Sequence, residues 1–215
     1  IALRLVGSEM CIRDSFATWL VRIFGRERLA AGGGVLDVAG GHGGLALALA
    51  QRGVSCVVVD PLSLSAHRQH PAGRQSVEPA AGPSSPVLTE YGGDEGTTTT
   101  VFVREMFDAA FVDRRRDLLD ASSVVVGLHP DEATGAIVEG ACLVGKPWAV
   151  VPCCVFSKLF PERTLPPSAE GGTRRVVGST TDLTEWILRE YPTSRCGQLP
   201  FRGQNKVCYS LCEPE

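Results

Sequence analysis

The chain has no Cys-x-x-Cys pair among its eight cysteines, which removes the commonest spacing of a structural zinc site or a dithiol redox centre. At 215 residues it is also too long to depend on a disulfide framework, so reduced thiols in an intracellular, cytoplasmic setting are expected. No apolar run approaches the roughly 20 residues of a membrane-crossing helix, which argues against a bilayer-spanning role. Charge of one sign is missing as well. With 21 Lys and Arg against 24 Asp and Glu the net charge is −3, so any site for a polyanion must be a local patch. No internal repeat is visible, and the length favours one domain.

The first fifteen residues, IALRLVGSEMCIRDS, lack helical or alternating periodicity and do not follow a signal peptide's order of basic, apolar and small residues. VGSEMCIRDS resembles a recurrent adapter read-through in translated transcript assemblies. Residues 1–15 are therefore expected to be a non-native or disordered leader, with 16–215 forming the domain. Phe16, Leu20, Ile23, Phe24 and Leu29 recur at helical spacing until AGGG stops the pattern. GVLDVAG, GGLALALAQRG and VSCVVVD then read as strand, helix and strand, the unit that builds a parallel sheet. Residues 61–98 are rich in Pro, Ser, Gly and Thr and read as a flexible insertion. Beyond it come a third strand in TTVFVREMF, a helical segment in DAAFVDRRRDLLDA and a fourth strand in SSVVVGLHPD. A helix in ATGAIVEGACLVG and a fifth strand in KPWAVVPCC follow. TDLTEWILREY reads as a last helix, with CGQLPF and NKVCYSL as a terminal hairpin. The expected fold is α/β: a doubly wound, mostly parallel Rossmann-like sheet with a C-terminal antiparallel hairpin.

LDVAGGHGGLA, residues 36–46, is the first stretch with chemistry in it. A triphosphate loop would close on Lys and Ser or Thr, and neither is present. Gly41, Gly43 and Ala46 satisfy the G-x-G-x-x-A spacing of a dinucleotide loop, and Asp60 follows at a distance suited to a ribose. Asp37 separates the possibilities, because a carboxylate at the end of the first strand repels a pyrophosphate and suits a cationic ligand. S-adenosylmethionine is such a ligand, with a sulfonium and an ammonium and no phosphate. Asp37 can answer the ammonium directly or through water, Gly41 and Gly43 allow close backbone approach, and Asp60 can accept both ribose hydroxyls. VLDVAGGHGGLALALAQRGVSCVVVDP resembles the first two motifs of class I S-adenosylmethionine-dependent methyltransferases, with Ala39 in place of the commoner glycine. That resemblance implies methyl transfer, S-adenosyl-L-methionine as cofactor, and a cofactor site made of Asp37, Ala39, Gly40, Gly41, His42, Gly43, Asp60 and Pro61.

Ligands of open α/β sheets sit beyond the carboxyl ends of the strands, here GLHPD and VPCC. LHPDEAT is not the Asn- or Asp-Pro-Pro-aromatic motif of many amino-methylating enzymes. His129, Thr134 and the Cys153-Cys154 pair instead resemble a subgroup containing the tRNA acceptor-stem 2′-O-methyltransferases and methyltransferase-like proteins. The spacing from His to Ala-Thr differs, Asp131 stands where that subgroup has Cys, and VFSKLFPER replaces the histidines after the Cys pair.

The candidate catalytic residues are His129, Asp131 and Cys153. His129 is read as a general base or a hydrogen-bonded strand-end histidine, Asp131 as a site residue or a helix N-cap, and Cys153 as reactive, ligating or simply packed. No metal is expected. The acceptor is open between RNA, which the subgroup implies, and a small molecule. DRRRD at 113–117 and the arginines of ERTLPPSAEGGTRR could meet phosphates or could be a solvated face. A nicotinamide-dependent oxidoreductase would also use such a loop, but Asp37 and the lack of a Tyr-x-x-x-Lys pair count against it. A binding protein that kept the fold and lost catalysis is the other alternative.

Overall fold

The computed structural model of the chain describes residues 8–61, 76–77, 87–93, 96–167 and 172–212. Helix α1 (Ser8–Phe24) starts eight residues before the point where its apolar spacing becomes regular, and α2 (Arg26–Leu29) adds a turn after Gly25. Phe16 and Leu20 are fully buried on α1, each contributing about 1.5–3 kcal/mol of burial. β1 (Val35–Val38), α3 (Gly44–Ala50) and β2 (Cys56–Val59) form the expected strand, helix and strand, with β1 parallel to β2 from Val35 opposite Cys56 to Val38 opposite Val59.

The segment expected to be a flexible insertion contains sheet. β3 (Ser76–Val77), β4 (Val87–Gly93) and β5 (Gly96–Val103) form an antiparallel run, with Val87 opposite Phe102 and Gly93 opposite Gly96. The threonines at 97–100 are β-branched and favour extended backbone, a signal that average composition hides. The rest of that segment lies outside the described residues.

The predicted helix at 108–121 is two short helices, α4 (Ala109–Arg114) and α5 (Arg116–Ala121), separated at Arg115. The Asp108 carboxylate caps α4 by accepting from the Phe111 N–H at 2.7 Å. β6 (Val124–Leu128), a short 3-10 turn (Asp131–Ala133), α6 (Thr134–Leu143) and β7 (Trp148–Val151) follow. β8 (Thr164–Leu165) and β9 (Arg175–Val176) pair apart from the main sheet. α7 (Thr180–Glu190) opens with a capping box between Ser179 and Asp182, and β10 (Arg195–Gln198) and β11 (Lys206–Ser210) form the terminal hairpin.

The main sheet runs β10-β11-β7-β6-β1-β2-β5-β4-β3. β1, β2, β5, β6 and β7 are mutually parallel, while β11 runs against β7 and β4 against β5. This is the expected doubly wound sheet with its hairpin, extended at the other edge by two strands from the insertion, β4 and β3. Val124 and Val126 point into the core under α1 and α3, whereas Val125 points into the core under α6 and α7. With both faces covered, the central strands tolerate uninterrupted valine runs. The chain leaves β1 toward β2 on one side and returns at β6 on the other. Strand order therefore reverses between β1 and β6, opening a crevice at their carboxyl ends. Among the described residues no helix is long and apolar enough to cross a membrane.

Candidate functional site

At the carboxyl end of β1 the chain turns sharply into α3, with Ala39, Gly41 and Gly43 all at positive φ. Gly41 and Gly43 do this without cost, and a Cβ on Gly43 would lie 2.7 Å from the Phe102 ring. A Cβ on Gly41 would meet open space, so the backbone there faces outward. Ala39 sits at φ 55 with a Cβ, which costs about 1–2 kcal/mol in the left-handed region. Replacing Ala39 with Gly should relieve that strain, offset by the extra freedom of Gly in the unfolded chain. The expected net gain is about 0.5–1 kcal/mol in urea unfolding, and a loss would show that the turn is unstrained.

Beneath this turn lies Asp37, with no exposed surface. Neither carboxylate oxygen has a hydrogen-bond partner, and a Cβ on Gly40 would run into Oδ2. Burial, then the nearby charge of Asp60, pushes its carboxyl up to about 8 against a weaker opposing pull from Arg13. Asp60, at the end of β2, accepts a hydrogen bond from the Gly41 N–H at 2.8 Å and so ties the second strand to the turn. His42 and Pro61 are exposed beside it. The structure thus brings Asp37, Ala39, Gly40, Gly41, His42, Gly43, Asp60 and Pro61 into one region around a loop with an orphaned acid below it.

The second group of residues lies beyond β6 and β7. His129 has φ 55, and its Nε2 lies 2.9 Å from the carbonyl oxygen of Gln204. A carbonyl only accepts, so Nε2 carries the proton and Nδ1 presents the lone pair. Phe201 stands edge-on to the imidazole at 6.3 Å. Asn205 clamps the loop that carries Phe201 and Gln204, with Nδ2 donating to the carbonyls of Leu199 at 3.1 Å and Phe201 at 2.6 Å. Neither Phe201 nor Gln204 was expected from the sequence. A bond to a backbone carbonyl 75 residues away leaves no residue-type signature, although the predicted hairpin was the signal that could have located it.

Reading Asp131 as a helix N-cap is incorrect. α6 has no side-chain cap, and Asp131 offers the helix start only its backbone carbonyl, which accepts from Thr134 Oγ1 at 3.0 Å. The carboxylate turns to Cys153, whose Sγ donates to Oδ1 at 3.2 Å. Burial and that bond push the Cys153 thiol up to about 12, which disfavours the thiolate in the ligand-free protein.

No known protein family and no curated protein matches the chain. Solved structures similar to it include the magnesium protoporphyrin IX methyltransferase of Synechocystis PCC 6803 with bound SAM. It is 15% identical with a TM-score of 0.45, the match covering 94% of this chain and 78% of that one. A SAM-dependent methyltransferase from Methanosarcina mazei is 17% identical over 83% of this chain and 92% of its own, with a TM-score of 0.39. The CcbJ methyltransferase of Streptomyces caelestis is 11% identical over 97% and 99%, with a TM-score of 0.38.

The arginines that could meet phosphates or form a solvated face pair with other groups of the same chain. Arg114 and Arg115 both reach Glu105, at 3.2 and 2.7 Å, and Arg116 reaches Asp120 at 3.1 Å. Arg175 pairs with Asp182, while Arg174 donates to Thr164 Oγ1 at 2.7 Å. Arg163 is buried, with its guanidinium 3.6 Å from the centre of the Phe160 ring. Exposed ion pairs of this kind are screened by water and salt, so they neutralise the local field more than they hold the fold.

Proposed function

We propose that this chain transfers a methyl group from S-adenosyl-L-methionine to an acceptor bound at the carboxyl ends of β6 and β7. The observation that carries this reading is Asp37, a fully buried carboxyl with no hydrogen-bond partner beneath a glycine turn. A group of that kind is costly unless a positive ligand, directly or through water, balances it. A pyrophosphate over the same turn would add to the cost.

Asp37 would face the ammonium of the cofactor, and the Gly40-Gly41-His42-Gly43 backbone would approach its methionine and ribose portions. Asp60 would accept the ribose hydroxyls while still holding Gly41, since a carboxylate offers about four acceptor sites. Bound there, the cofactor supplies an electrophilic methyl on a positive sulfonium. His129 Nδ1 would take the acceptor's proton, because Nε2 is committed to the Gln204 carbonyl. The pairing of Arg114, Arg115, Arg116 and Arg175 with acids of the same chain favours a small-molecule acceptor over RNA.

Calorimetry with S-adenosylhomocysteine, and separately with NAD, tests the cofactor. Binding of S-adenosylhomocysteine and not NAD is expected; the reverse would replace this reading with an oxidoreductase. Turnover is then followed with labelled cofactor on a deproteinised metabolite extract and on total RNA. His129→Ala should lower the rate about 100-fold or more while leaving S-adenosylhomocysteine affinity unchanged. Undiminished turnover in that variant would rule out His129 as the base.

A further inference from the structure

Parallel neighbours β6 and β7 end side by side, so Asp131 after one and Cys153-Cys154 after the other arrive at the same spot. One donor atom from each of the three lies within 4.8 Å of the other two. Asp131 is not used to cap α6, and its carboxylate already faces Cys153 Sγ at 3.2 Å. Two sulfurs and a carboxylate make a donor set that suits zinc and its relatives better than magnesium or calcium. In a tetrahedral zinc site, bond lengths of about 2.3 Å to sulfur and 2.0 Å to oxygen place the ligand atoms roughly 3.5–3.8 Å apart. The observed cluster reaches that geometry with small side-chain movements.

We propose that Asp131, Cys153 and Cys154 bind one zinc-class divalent cation, leaving the fourth position open to solvent. Three protein ligands with an open position mark a site that engages another molecule, whereas structural zinc sites are closed by four. On binding, each thiol releases its proton to solvent as the metal–sulfur bond forms, with no change of oxidation state. The site goes beyond methyl transfer and stands whether or not the chain binds S-adenosylmethionine.

Full-length protein, kept reduced with a phosphine and stripped with a chelator, is titrated with cobalt(II) alone. A near-ultraviolet thiolate-to-cobalt charge-transfer band should grow to saturation at a single ion per chain and be bleached by zinc. Cys153→Ser and Cys154→Ser should each lose the band, and Asp131→Asn should weaken cobalt affinity about tenfold or more. Cys154 is exposed, so Cys154→Ser leaves the packing intact and decides the matter if Cys153→Ser fails to fold. Cys196→Ser, on the terminal hairpin, should keep the full band. Absence of a band in the parent protein overturns the proposal. So does a band that survives Cys154→Ser, or one that Asp131→Asn leaves at parental affinity.

Discussion

Asp37→Asn will make the ligand-free protein more stable above neutral pH and, in the same molecule, cripple its binding of S-adenosylhomocysteine. Burial, and after it the charge of Asp60, raises the folded carboxyl from 3.8 to about 8. Below about pH 4 the folded and unfolded chains both hold the proton, so the group is silent. Between about 4 and 8 the unfolded chain has released the proton and the folded chain retains it. Stability then falls as pH rises, and it levels off once the folded group ionises as well. A shift of that size corresponds to about 4–6 kcal/mol at full ionisation, an upper figure for a site that water can enter. An amide at this position has its own unsatisfied buried group, costing about 1–3 kcal/mol, and is still the cheaper occupant at pH 8. Urea unfolding from pH 4 to 9 should show the two proteins diverging across that window, with the parent falling. Parallel curves would mean that Asp37 is solvated. Binding behaves in the opposite sense. An ammonium favours the ionised acid, so parental affinity should rise with pH toward 8, and the variant should bind about 10–100-fold more weakly with a flat profile.

Asp60→Ala should weaken S-adenosylhomocysteine binding about 100-fold while changing stability much less. The carboxylate holds the Gly41 N–H at 2.8 Å and stands at the end of β2, where a ribose would lie. Hydrogen bonds to a charged group contribute about 1.5–3 kcal/mol each, so losing even one or two to the ligand accounts for that factor. Asp60 also helps to raise the Asp37 carboxyl, and its removal should lower that midpoint. The loss of affinity and the easier ionisation of Asp37 oppose each other, but a direct contact outweighs a charge acting at a distance. Calorimetry at pH 7 decides the point, and unchanged affinity would take Asp60 out of the ribose role.

The parallel core and the glycine turn were legible because their signals are local. Valine runs interrupted by one helix specify β1, α3 and β2, and the acids Asp37 and Asp60 follow from where strands end. The insertion was misread in part because its proline and glycine content outweighed a run of four threonines that enters β5. The N-cap alternative for Asp131 failed for a different reason. Asp is among the residues preferred as a helix N-cap, but the 3-10 turn here leaves the helix start to Ala133 and frees the carboxylate for Cys153. The anchor of His129 was invisible because it is a main-chain oxygen, and every residue type carries one.

That anchor sets the order in which the protein can become functional during synthesis. The glycine turn, β1 and β2 all leave the ribosome early. The imidazole gains its fixed tautomer only after Gln204 has emerged and β11 has docked on β7. A chain ending near residue 190 would lack Leu199, Val207 and Cys208, which are buried in the two cores, as well as the anchor of the histidine.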